Sequence, residues 1–425
     1  MKRTCFSKVC VICPLLKLPA VLAVFLFASC GLGEPAAAVI RTDRPEFAIY
    51  AEYFNSIQDK YKIETRYSLF LTQKLTDAGH NPDIVVGSWL KSASTRSLFK
   101  SLDYLLKEID GNAFYSRLLS LGKIEDKQYL LPVSFNIPAL AFSGNNSHLL
   151  SNLFVIEPKE IKKIGSTYNR ESGGAFTQMG FSPSWNDEFL FIITTLFNTG
   201  FREAEPLAWD HAALEESIQY IRGWISEANT NTNMESDFSF KYFFVPQTRL
   251  AISGRILFCY LESSEFFTLA GEQRDSLDFR WIAGEDGTIP LAENTTYYGI
   301  SKTARAKKAA EAFTLWFFRE DTQRLLLEES RRRGMNETLF GIGGGFSAMR
   351  TVTEHIFPRY YPGLIGHMPP EAALSPPNIL PHNWMAIKRQ VILPYLHDRI
   401  RGENGAATAD LDRRLADWLR INRNL

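Results

Sequence analysis

The chain has 425 residues, 45% of them hydrophobic and 13% aromatic, and 47 basic side chains balance 47 acidic ones. Such a length supports two or three domains at about 150 residues each, and the apolar fraction is enough for real cores, which excludes wholesale disorder. The zero formal charge excludes an obligate nucleic-acid binder, for which a basic excess is expected.

Lys2, Arg3, Lys8 and Lys17 form a basic opening with no acid before Glu34. The run 18–29 (LPAVLAVFLFAS) is apolar but shorter than the roughly 20 residues that cross a bilayer. Basic start, short apolar stretch and small residues at the end predict a secretory signal over residues 1–29. Its end, Phe27-Ala28-Ser29-Cys30, resembles a bacterial lipobox. The resemblance implies cleavage before Cys30, acylation of its sulfur and a tether over residues 30–37; an ordinary signal or an uncleaved anchor helix are the alternatives. Cys5, Cys10 and Cys13 leave with the signal. Only Cys259 then remains, inside an apolar run, so no internal disulfide is possible.

Strand and helix signals alternate from there. Ala38–Arg41 predicts a strand. Asp43 with Glu46 three residues on, and Pro45 between them, reads as a capping box opening a helix whose apolar face is Phe47, Tyr50, Ala51 and Phe54. Ile63, Thr65 and Tyr67 alternate as a half-buried strand, Leu69–Ala78 as a helix, and Asp83–Val86 as a strand ending at Gly87. This order predicts a parallel sheet covered on both faces. Tyr129–Phe142, broken by Pro132 and Pro138, suits a strand crossing between halves of the molecule. Helices are expected over Asp187–Phe197 and Leu214–Ile225, a β segment over Arg249–Tyr260, and strands over Phe279–Ala283 and Thr296–Ile300. Ala309, Phe313, Trp316 and Phe317 mark an amphipathic helix. Arg331-Arg332-Arg333-Gly334 reads as a helix C-terminus with a glycine cap, and Trp384–Leu396 and Leu411–Trp418 as two more helices.

The seven histidines show no HExxH and no i, i+4 pair, and there is no CxxC, so no metal is expected. No G-x-S-x-G elbow is present. The glycine run Gly341–Gly345 (GIGGG) lacks the Lys-Ser/Thr of a phosphate loop and reads as a flexible loop. What stands out is aromatic residues next to strand ends or helix starts: Trp89, Trp185, Tyr297 and Trp384. In an open parallel sheet, ligands bind beyond the carboxyl ends of strands, and an indole there can cover the apolar face of a sugar ring. Trp209, Trp224, Trp281, Trp316 and Trp418 read as packing instead.

Six segments in order, AVIRTDRPEFAIYAEYFN, NPDIVVGSWLK, IPALAFSGN, RLAISGRILFCYLES, YYGISKTARAKKAAEAFTLWFFREDTQ and LPHNWMAIKRQVILPYL, carry a further likeness. On them the chain resembles the family 1 extracellular solute-binding proteins of ABC transporters, the maltose-binding-type group. The resemblance implies an α/β fold of the type II periplasmic-binding-protein kind, with two lobes joined by crossing strands. The N-terminal lobe would comprise 38–135 plus 290–335, and the C-terminal lobe 136–289 plus 336–425. Thr42, Asp43 and Arg44 would form the first ligand loop, Trp89 and Lys91 the second, and Asn136 the crossover. Trp185, Tyr260 and Trp384 would be stacking surfaces. Asn136 stands where the maltose-binding pattern has an acid, and Trp89 falls later than that pattern's tryptophan. Asp43 has the competing reading of a helix cap.

The function so implied is a non-enzymatic lipoprotein on the extracytoplasmic face. It would take a sugar into an inter-lobe cleft and deliver it to ABC permease subunits in the inner membrane, as a monomer and without a cofactor. The alternatives are a binding protein for an oligopeptide, amino acid or polyamine, a surface lipoprotein that transports nothing, and a polysaccharide hydrolase.

Overall fold

The computed structural model describes residues 37–69, 71–72, 75, 82–205, 207–402 and 410–422. The signal, Cys30, the tether up to residue 36 and most of the helix expected over 69–78 lie outside the described residues.

Two sheets organise the chain. The first has six strands in the order 346–347, 131–135, 296–300, 84–87, 38–42, 63–67. Ala38–Thr42 sits between Ile63–Tyr67 and Ile84–Gly87 and pairs parallel with both. The parallel expectation holds for this half of the sheet only. Thr296–Ile300 runs antiparallel to both Ile84–Gly87 and Leu131–Phe135, so the sheet is mixed. Helix Glu46–Ser56 covers it with the expected face of Phe47, Tyr50, Ala51 and Phe54, all buried. Helix Lys307–Phe317 adds Phe313 and Phe317, whose rings stack against the same cluster.

The second sheet has four strands in the order 258–262, 138–143, 277–282, 155–156. Leu131–Phe135 belongs to the first sheet and Pro138–Ser143 to the second, so the chain crosses at Asn136-Ile137, as the extended run over 129–142 predicts. Cys259 is buried in this sheet, and burial pushes its thiol up to about 12. Helices Asp187–Leu196 and His211–Ala228 pack on it, with the C-terminal helix Leu411–Ile421 burying Leu415 and Trp418 in the same core.

Several local expectations give way. Asp43 does not cap the following helix: Pro45 occupies the cap position with no side-chain bond, because the Asp43 carboxylate turns toward Ser88. The span 249–260 is not one β segment; helix Gln247–Ile252 precedes strand Phe258–Glu262. Phe346–Ser347, expected in the C-terminal lobe, pairs with Leu131–Phe135 at the edge of the first sheet. The glycine run before it is pinned rather than loose. Tyr50 Oη accepts from the Gly343 N–H, Tyr361 Oη accepts from the Gly341 N–H, and Ser134 and Asn136 donate to the carbonyls of Gly343 and Gly344. A Cβ on Gly341 would fall 2.2 Å from the Gly345 carbonyl oxygen, so no larger residue fits.

Candidate functional site

Three strand ends of the first sheet meet at one edge. Ala38–Thr42 and Ile84–Gly87 finish there, and antiparallel Thr296–Ile300 begins there, with Tyr297 opposite Gly87. The adjoining loops carry Asp43 and Arg44, Ser88 and Trp89, and Glu293 and Asn294. From the second sheet's side come Glu262, at the end of its strand, and Glu188, in the first turn of helix Asp187–Leu196. Trp384, Met385, Lys388 and Arg389 complete the wall. Together with Leu69 these residues enclose a cavity of about 300 Å³, at the low end of the roughly 300–1,000 Å³ usual for small-molecule sites.

Charge and hydrogen bonds dominate the lining. The Arg44 guanidinium donates to Ser88 Oγ at 2.7 Å and to the Asn294 carbonyl at 3.2 Å, and it stands 3.4 Å from Asp43. Burial raises the Asp43 carboxyl, with Arg44 pulling the other way, and Asp43 Oδ1 accepts no hydrogen bond. Asn294 Oδ1 is likewise buried with no donor. Opposite them, Lys388 Nζ donates to Glu188 at 2.6 Å and also to Glu293, and it lies 4.1 Å from the Phe191 ring centroid. Glu293 is raised by burial, against the pull of Lys388 and Trp384. Burial, reinforced by Glu265 and Glu188, pushes Glu262 up to about 7. Buried acceptors that lack donors are what a polyhydroxylated ligand would satisfy, because each costs free energy while unmet.

Trp89 is the one tryptophan whose backbone is strained: φ is +67°, a left-handed conformation that bulky residues rarely adopt. Its half-buried ring packs against the aromatic core of the second sheet's side, although its chain leaves the first sheet. One side chain thus touches both halves.

Of the ten residues expected at a ligand site, the structure brings Asp43, Arg44, Trp89 and Trp384 to this cavity. Trp384 is fully buried, and only its margin reaches the cavity; its indole N–H donates to Glu293 at 2.8 Å. It cannot offer an open face. The other six do not line the cavity. Thr42 is fully buried and its Oγ1 accepts from the Arg44 N–H. Lys91 turns into the core, 4.7 Å from the Tyr297 ring centroid and without a hydrogen bond. Asn136 holds the crossover through Ser263 and the Gly344 carbonyl. Tyr260 packs on Phe189, and Tyr297 donates its hydroxyl to the Leu118 carbonyl deep in the first half. Trp185 stacks on Phe238 at 5.6 Å. Ser88, Glu188, Glu262, Glu293, Asn294 and Lys388 were not singled out by sequence. Their one visible cue is that Lys388 follows Trp384 by one helical turn, and so shares its face.

No family model matches the chain, and no curated protein sequence matches it. Solved structures do. An ABC substrate-binding protein from Listeria monocytogenes in complex with cycloalternan is 11% identical; the match covers 90% of this chain and 98% of that one, with a TM-score of 0.61. The galacto-N-biose-/lacto-N-biose I-binding protein of the ABC transporter from Bifidobacterium longum, in complex with lacto-N-biose, is 13% identical, with coverage of 92% and 98% and a TM-score of 0.59. A cyclo/maltodextrin-binding protein complexed with maltotetraose is 14% identical, with coverage of 92% and 99% and a TM-score of 0.60. The two sheets, the crossing at Asn136-Ile137 and these likenesses together establish an α/β fold of the type II periplasmic-binding-protein kind for this chain.

Proposed function

We propose that the protein is the solute-binding component of an ABC importer that takes a sugar or oligosaccharide into the cavity between its halves. The observation that carries this reading is the position of the cavity. It lies beyond the strand ends of the first sheet, closed on its far side by Glu188, Glu262 and Lys388, and lined by unmet acceptors beside a tryptophan. Ligands of open α/β sheets bind at that edge. Solved proteins of the same fold carry bound saccharides, which favours a sugar over a peptide or polyamine.

No covalent step is required. Arg44, Asp43 and Asn294 reach the ligand from one half, and Glu188, Glu262 and Lys388 from the other. Only a closed arrangement lets both sets act, so binding biases an open–closed equilibrium. Acylation of Cys30 would hold the domain at the extracytoplasmic face, near permease subunits. At two or three chains per cysteine, anchoring exceeds what one chain supplies.

A thermal-shift panel of mono- and oligosaccharides tests the reading. A ligand at 100 times its dissociation constant adds about 2.7 kcal/mol to stability, and an Asp43→Asn, Asn294→Ala double variant should lose that gain. A panel in which amino acids or polyamines shift the melting point and sugars do not would favour the non-sugar alternative. Cys30→Ala should move the protein from the membrane to the soluble fraction.

A further inference from the structure

A second cavity, of about 510 Å³, opens along the same pair of walls. Segment 88–96 and segment 376–389 line both: Ser88, Trp89, Trp384 and Met385 face the first cavity, and Arg96 and residues 376–379 face the second. Between them the two halves touch, where Glu203 accepts from Ser92 Oγ at 2.6 Å and from the Ala93 N–H at 2.9 Å.

Its charge sets the second cavity apart. Arg96 and Arg117 come from the first half, and Arg202 from the second. The one acid on its wall is Glu203, whose carboxylate is engaged by Ser92 and Ala93, and no ion pair joins it to any of the three arginines. Arg96 Nε is buried with no hydrogen bond. Elsewhere, arginines on this surface are held by carboxylates, as Arg333 is by Glu329 and Arg399 by Glu215. Three guanidinium groups gathered around one hollow repel each other, and an anion between them would reverse the sign of that interaction. Their planar forks match carboxylate and sulfate oxygens in pairs.

We propose that this cavity receives an anionic group carried on the saccharide, a carboxylate or sulfate on a sugar unit, so that the importer's substrate class is an acidic oligosaccharide. The proposal rests on the sugar-binding reading above. Both halves contribute arginines, so an anion here would also favour closure, in the same sense as the Glu203 contact.

Calorimetric titration of the full chain with matched neutral and uronate-bearing oligosaccharides tests it, alongside inorganic phosphate as a free-anion probe. Wild type should bind the acidic sugar at least about tenfold more tightly than the neutral one, equivalent to about 1.4 kcal/mol, and the preference should shrink with added salt. An Arg117→Gln, Arg202→Gln double variant should lose the preference and keep its affinity for the neutral sugar. Both side chains are exposed, and their only hydrogen bonds to protein run to the carbonyls of Leu374 and Gly200, so the fold should tolerate the change. Equal affinity of wild type for the two sugars would overturn the proposal while leaving the sugar-binding reading standing. If neither sugar binds, that reading fails as well. Phosphate binding that depends on Arg202, without any preference among the sugars, would overturn the saccharide assignment in favour of a free anion.

Discussion

Trp384 donates its indole N–H to Glu293, and the same carboxylate receives the ammonium of Lys388 one turn further along the helix. One buried acid thereby ties the loop before strand Thr296–Ile300 to the wall of the opposite half. The tryptophan expected to stack on a ligand instead positions the charged groups that would meet it.

Trp384→Phe keeps most of the ring and deletes the donor, leaving Glu293 Oε1 unmet. A loss of about 1–3 kcal/mol in urea unfolding is expected. Lys388→Met strands two carboxylates and should cost more, about 3–5 kcal/mol. Equal stability of wild type and Trp384→Phe would show that the indole bond does not hold the site together.

Trp89 should show stability and binding moving in opposite directions. At φ of +67° a glycine is at ease and an alanine is not. Trp89→Gly is therefore expected to be more stable than Trp89→Ala by about 1 kcal/mol, while both lose ligand affinity. Equal melting temperatures would mean that the loop relaxes its backbone once the indole is gone.

Glu262 predicts a pH dependence. Its carboxyl is held up to about 7 in the folded chain, against 4.5 unperturbed. The folded chain therefore keeps a proton that the unfolded chain releases. The associated stability is fully present below pH 4.5 and declines as pH rises through 7. Glu262→Gln should remove that slope and gain on the order of 2–3 kcal/mol relative to wild type above neutrality. Denaturant midpoints across this range would check it.

Lys91 runs the other way. Burial holds its ammonium down to about 7, from 10.5, with no carboxylate nearby to offset the cost. As pH falls through that window, the unfolded chain takes up a proton that the folded chain refuses, so stability drops and the deficit is complete below 7. Lys91→Met should stabilise by on the order of 2–4 kcal/mol at and below neutral pH. The gain should vanish in strongly alkaline buffer. A gain that is the same at every pH would mean that packing, and not charge, is responsible.

Local pattern told most about elements whose burial is one-sided. Helix Glu46–Ser56 and helix Lys307–Phe317 were legible because their apolar residues recur with the helical period, and strand Thr296–Ile300 because it is a short β-rich run. Where hydrophobicity was continuous, period was uninformative: 249–260 divides into a helix and a strand at Ser253-Gly254. The capping signal at Asp43 and Glu46 was genuine chemistry outcompeted by a tertiary partner, the Ser88 loop.

The same division holds for the site. Sequence by itself determined that the chain alternates strand and helix in two halves with a crossing near residue 136, and that Asp43, Arg44 and Trp89 follow strand ends. These follow from local periodicity and from steric rules, which act over a few residues. Only the tertiary structure decided which aromatic rings are interior, which carboxylates share Lys388, and that three arginines from distant parts of the chain surround one hollow. Those depend on distances between residues as much as 200 positions apart, such as Glu188 and Lys388, and a charge's partner is chosen by proximity in space, on which its neighbours in sequence are silent.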